Sequence, residues 1–99
     1  MVVEYQEDPG RFRGTGTVFA AWSPFDEAYD VYWDSFPEGQ PSFPIELGPA
    51  TRSLDEVVAW GRERAPRVLV RPEHHPGEYY WAGAERPTGA DAELKHLAL

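Results

Sequence analysis

The stretch that most constrains this chain runs from Thr51 to Gly83, TRSLDEVVAWGRERAPRVLVRPEHHPGEYYWAG, because helix, strand, turn and strand can be read there in order. Ser53 is an N-cap type with Glu56 three residues later, which makes a capping box. Asp55 and Glu56 also sit where the helix dipole favours negative charge, so a helix is predicted to begin at Leu54. Leu54, Val57, Val58, Gly61 and Ala65 share one apolar stripe, with Gly61 allowing close approach to a sheet and Trp60 on the flank. Pro66 stops the helix, because the residue before a proline is driven out of the helical region. RVLVR, residues 67–71, then reads as a strand. His75-Pro76-Gly77-Glu78 fits a type II turn, which would join it to Tyr79-Tyr80-Trp81-Ala82 as a hairpin.

Upstream, the turn-prone stretch Gly10 to Gly16 leads into Thr17-Val-Phe-Ala-Ala-Trp22, rich in β-branched and aromatic residues. Ser23 to Glu27 interrupts it, and a second strand is predicted from Tyr29 to Phe36, paired with the first as an antiparallel hairpin. Alternation puts Tyr29, Val31 and Trp33 on the core face and Asp30, Tyr32 and Asp34 on the other. From Phe36 to Pro49 four prolines and two glycines favour a long ordered loop, with the alternating Phe43, Ile45 and Leu47 offering a short edge strand as the alternative. After Gly83 the pattern loosens. Thr88 to Asp91 is expected to cap a short helix through Leu94 and Leu97 unless the tail frays. The expected fold is therefore α+β: a two-layer domain over residues 1–83 in ββαββ order, an antiparallel sheet with one helix on one face, and a C-terminal tail over 84–99.

Ninety-nine residues suffice for one core without metal or disulfide support, and the chain has no cysteine, so thiolate chemistry is excluded and a reducing cytoplasm is expected. The start MVVEYQEDPGRFR lacks the pattern of a secretory signal, and no window approaches ~18 apolar residues, so no membrane span is expected. The formal net charge is −8, and it is lopsided: residues 1–50 carry nine acids against two bases, residues 51–99 eight against seven. Such a surface repels phosphate backbones and suits a basic partner.

No run has the spacing of a known catalytic, phosphate-binding or metal-binding motif. Gly14-Thr15-Gly16 precedes a strand instead of joining strand to helix, which is wrong for a phosphate loop. Asp30 and Asp34 lie about 13 Å apart along a strand, too far for a carboxylate pair. Glu73, His74, His75 and Glu78 have the chemistry of a zinc site, but neighbouring strand positions point to opposite faces, so a solvated hairpin tip is expected, with no metal and no cofactor. The arginines at 52, 62, 64, 67 and 71 are interspersed with acids and read as an ion-paired face, not a nucleic-acid footprint.

The functional lead is aromatic excess: five Phe, five Tyr and four Trp in a small domain whose single helix covers only one face. Trp22, Tyr32, Tyr79, Tyr80 and Trp81 are then left half-wet, as binding surfaces prefer, unless the loop from Phe36 to Pro49 folds over them. The strand pair, the acidic FPEGQ turn and SLDEVVAWGRERAPRVLV resemble small antitoxin domains of HicB type, which implies a protein partner. Members usually add a DNA-binding segment, and nothing after Gly83 resembles one. The expectation is an interaction or accessory module, antitoxin-like, immunity-like or self-associating as a homodimer, that binds through Trp22, Tyr32, Tyr80, Trp81, Asp30 and Asp34. The alternative is a ligand-binding protein or small enzyme with a pocket between the proline-rich loop and the sheet, for which Glu73, His74, His75 and Tyr80 are the reactive set.

Overall fold

A computed structural model describes residues 16–34, 45–74 and 77–99, and of Asp34, Ile45 and Ala90 the backbone alone. Six strands form one sheet: β1 (Thr17–Ser23), β2 (Ala28–Asp34), β3 (Ile45–Leu47), β4 (Arg67–Arg71), β5 (Tyr80–Gly83) and β6 (His96–Ala98), in the order β3-β2-β1-β4-β5-β6. Between β3 and β4 lies the helix α1 (Leu54–Arg62). The α+β two-layer reading holds, but the order is βββαβββ where ββαββ was expected. The sheet is also mixed instead of antiparallel, because β1 pairs with β4 in parallel, and so does β5 with β6. Two reversals precede the helix, so a chain that crosses back through α1 re-enters the sheet in the direction in which β1 left it.

The helix begins where the sequence puts it. Ser53 Oγ accepts from the backbone N–H of Glu56 at 3.3 Å, half of the expected capping box. The other half is replaced: the Ser53 N–H donates to Thr51 Oγ1 at 3.0 Å, so Thr51 satisfies the donor that Glu56 was to take. Val57 has 0% exposure, and Gly61 is buried with it. A Cβ at Gly61 would stand 2.6 Å from Val68 Cγ2, so only glycine lets the backbone of α1 come this close to the sheet. Beneath lies the larger core, Val18, Ala20, Tyr29, Val31, Val68, Val70 and Ala82, flanked by Trp22, Trp33, Leu54, Val58 and Trp60.

β3 is the short edge strand that the alternation of Ile45 and Leu47 allows, antiparallel to β2. Arg64 ties it to the helix: the guanidinium lies 3.8 Å from the centre of the Trp60 ring while its Nε donates to Glu46 at 2.8 Å. The expected type II turn lies partly outside the described residues, at 75 and 76. The hairpin it was to close is present, with Leu69 opposite Trp81 and Val70 opposite Tyr80.

The C-terminal helix expected through Leu94 and Leu97 is not formed. Thr88 makes no side-chain cap, Gly89–Asp91 is a single 3-10 turn, and the chain then adds β6 to the sheet. The ladder supplies what a helix would have: Trp81 N–H donates to the Lys95 carbonyl at 2.7 Å, Leu99 N–H to that of Gly83 at 3.3 Å. The crossovers from β3 to β4 and from β5 to β6 move across the sheet the same way but start from oppositely directed strands, so crossovers of one hand must lie on opposite faces. They do: α1 packs over Val18 and Val68, whereas Leu94 packs against Phe19 and Leu69 on the far side.

That far side is the correction to an uncovered sheet face. Leu47, Tyr32, Phe19, Leu69, Trp81 and His96 stand opposite one another in one row across all six strands. Its middle is core, with Phe19 at 2% exposure and Leu69 at 0%. Tyr32 stacks on Phe19 at 5.5 Å and Tyr79 meets it edge-on at 5.6 Å. A half-buried ion pair anchors the crossover above this row: Arg67 binds both Asp91 oxygens, at 3.0 and 3.2 Å, and donates to Thr17 Oγ1 at 2.8 Å.

Candidate functional site

At the opposite end of the sheet from the Arg67–Asp91 pair, Trp22 is the last residue but one of β1 and Tyr29, directly across from it, the second of β2. Both side chains lie on the helix face, their rings edge to face at 5.2 Å and 71°. The connection, residues 24–27, is held by Ser23, whose Oγ donates to Asp26 Oδ2 at 3.2 Å and accepts from the Asp26 N–H at 3.4 Å. Glu27 adopts a left-handed φ of 51°, a conformation that costs a side-chain-bearing residue about 1 kcal/mol. Its carboxylate is paired with Arg52. Arg52 is in reach because the Tyr29 N–H donates to the Thr51 carbonyl at 2.8 Å, which draws the approach to α1 alongside β2.

These residues surround an open cleft of about 380 Å³, lined by Trp22, Pro24, Glu27, Tyr29, Arg52 and Glu73. Tyr29 is buried and Trp22 half-buried at its inner side, and Glu27, Arg52 and Glu73 are exposed. Glu27 is held by Arg52; among the described residues the Glu73 carboxylate has no hydrogen-bond or ion-pair partner. Burial pushes the Tyr29 hydroxyl above its ordinary pKa, a backbone hydrogen bond from Glu73 works against the shift, and the Glu73 charge adds to it. Tyr29 therefore stays a neutral phenol at physiological pH. Outside the cleft, at the tip of the turn, Phe25 is 97% exposed.

The six residues expected to share one binding face do not. Tyr32 and Trp81 lie in the row on the far face, half-buried against Phe19 and Leu69. Trp22 packs on the helix-side core, and Tyr80, opposite Val70, belongs to that side too. The parity of β5 decides this: Tyr80 and Trp81 are neighbours and must point apart. Asp30 is exposed, and the side chain of Asp34 lies outside the described portion. Trp81 is further engaged by its indole N–H, which donates to the Glu85 carbonyl at 3.1 Å, and by Arg62, 5.6 Å from the ring centre.

The set Glu73, His74, His75 and Tyr80 does not converge. Glu73 lines the cleft, His74 is exposed, and His75 lies outside the described residues. Tyr80 donates to Glu78 Oε2 at 2.9 Å, and Lys95 holds the other oxygen, so Glu78 is turned toward β6. The bond to Glu78 raises the pKa of both Tyr80 and Lys95. No group of three metal-ligating side chains comes together among the described residues, and no helix among them is long and apolar enough to cross a membrane. The pocket expected beside the proline-rich loop involves residues 35–44, outside the described portion.

Sequence reading did not bring Arg52 and Glu73 together with Trp22 and Tyr29, and it did not single out Phe25. Phe25 did carry a signal, as an aromatic between Pro24 and Asp26 in a hairpin turn that no core face reaches. The meeting of residues 22–29, 52 and 73 is tertiary and left none. Comparison with models of known families, with curated proteins and with solved structures finds no match, so the resemblance to HicB-type antitoxin domains gains no support from them.

Proposed function

We propose that the chain is a protein-interaction module whose contact surface is the end of the sheet around the β1–β2 turn, and that its partner presents a basic segment. The observation that carries this reading is Phe25, an aromatic side chain 97% exposed on a turn held by Ser23 and by a left-handed Glu27. A rigid turn that offers a large apolar side chain to water gains nothing for folding, while aromatic anchors dominate binding hot spots. The surroundings set the sign of the partner, since Asp26, Asp30 and Glu73 are exposed near this end, Glu27 being neutralised by Arg52, and the chain is strongly acidic. The lack of cysteine suits a reducing cytoplasm as the place of this encounter.

The test is calorimetric titration with a lysine-rich peptide and a glutamate-rich peptide of equal length. Binding of the first alone, weakening with salt and falling about thirtyfold in Phe25→Ser, is the expected result. Equal affinity for both peptides would overturn the reading. Self-association is a second reading, favoured by Leu47, 76% exposed on the edge strand β3. Sedimentation of the wild type against Leu47→Lys decides it, since only a β3-mediated dimer would dissociate in the variant.

A further inference from the structure

We propose that the cleft between Trp22, Tyr29, Glu27 and Glu73 holds an alkylammonium group, the head of a lysine side chain on the partner. The inference rests on the interaction reading above and assigns a ligand chemistry to the cleft beside that surface. The aromatic pair comes first. Trp22, half-buried and braced edge to face at 5.2 Å by the nearly buried Tyr29, presents the π surface where a cation gains electrostatically and an aliphatic stem gains by burial. The rim has one carboxylate already neutralised, Glu27 by Arg52, and one without a partner among the described residues, Glu73. Such a carboxylate beside the Trp22–Tyr29 pair attracts a cation and repels phosphate or carboxylate ligands.

Size and shape narrow the class further. A cleft of about 380 Å³ is at the small end of ligand sites and admits one long side chain with some water. Either cation would feel the like charge of Arg52, and a guanidinium would bring a wide planar fork where an ammonium is a compact point charge. A compact ammonium needs a single charge, which Glu73 supplies. The Glu27–Arg52 pair shows that this rim already accommodates a cation from its own chain.

The experiment is amide and indole NMR titration of the full chain with N-acetyl-lysine methylamide, its uncharged norleucine counterpart and the lysine-rich peptide. The lysine compound is expected to shift the Trp22 indole and Glu73 amide signals saturably, and the norleucine compound not. Glu73→Gln and Trp22→Leu should each weaken this by about tenfold, Glu73→Asp by less. The spectrum of each variant reports whether the fold survives, and Glu73 is an exposed rim residue whose replacement leaves the core untouched. No saturable shift, equal response to norleucine, or indifference to Glu73→Gln overturns the proposal. Peptide binding that survives Glu73→Gln but is lost in Phe25→Ser also overturns it, while leaving the interaction reading intact. A cleft that takes the lysine compound, in a protein that binds the peptide no better, supports the ammonium site and sinks the interaction reading.

Discussion

The two crossovers of this fold cover the two faces of the sheet by different physics. On one side α1 is capped, amphipathic and seated by burial, with Val57 fully buried and Gly61 pressed against Val68. On the other, residues 84–95 cross with a single 3-10 turn, and what holds them is Leu94 over Phe19 and Leu69 together with the Arg67–Asp91 pair. The first attachment is distributed over many weak apolar contacts; the second is concentrated in a few strong polar ones. One consequence is that the far side is more sensitive to a single charge.

The largest expected effect tests whether the far face is core at all. Leu69→Ala should lower stability by about 3 kcal/mol, more than the roughly 2 kcal/mol of Val57→Ala, in chemical denaturation. A smaller loss at Leu69 than at Val57 would mean that the helix face alone carries the fold. Gly61→Ala addresses the close approach of α1. The new methyl must displace Val68, so a net loss of about 1 to 2 kcal/mol is expected despite better helix propensity, and adding Val68→Ala should restore part of the packing.

Asp91→Asn sharpens the contrast between the crossovers. Loss of the charge-assisted pair should cost about 1 to 2 kcal/mol, and it should do so locally: by hydrogen exchange the Trp81 and Leu99 amides open sooner while those of α1 keep their protection. Uniform loosening would show that the two sides are one cooperative unit. Ser53→Ala, at the helix start, should cost about 1 kcal/mol.

The smallest effect is one of pH. Tyr29, Tyr80 and Lys95 all have raised folded-state pKa values, Tyr29 from burial and the other two from Glu78. Their contribution is complete below about pH 10, the ordinary range of phenols and amines, and is lost as pH rises through the folded values. Melting temperature should therefore decline above that range and not between pH 6 and 9. A decline of equal steepness in Tyr29→Phe would remove Tyr29 from the account.

What the sequence disclosed follows the same division. Helix start, Gly61 contact, β4 and the two hairpins are all written in local periodicity and caps, so they were legible within windows of a dozen residues. The parallel seam between β1 and β4 was not, since no local pattern records strand direction. Nor was β6: His96-Leu97-Ala98 is too short to show a period, and its partner is another strand's edge. The candidate site was legible only in its parts. Trp22 stood out as an aromatic, but its company of Tyr29, Arg52 and Glu73 depends on how the approach to α1 lies against β2.

The pairing of β1 with β4 also governs how the chain reaches its fold. β1, β2 and β3 are contiguous in the chain, as are β4, β5 and β6, so each trio can assemble from neighbours with small loop-closure entropy. Only the central seam joins them, and its contacts, such as Arg67 to Thr17, span 50 residues. Folding is then gated by one encounter between two preformed halves, with α1 as the tether that limits their search, and the speed of the whole domain is the speed at which that seam closes.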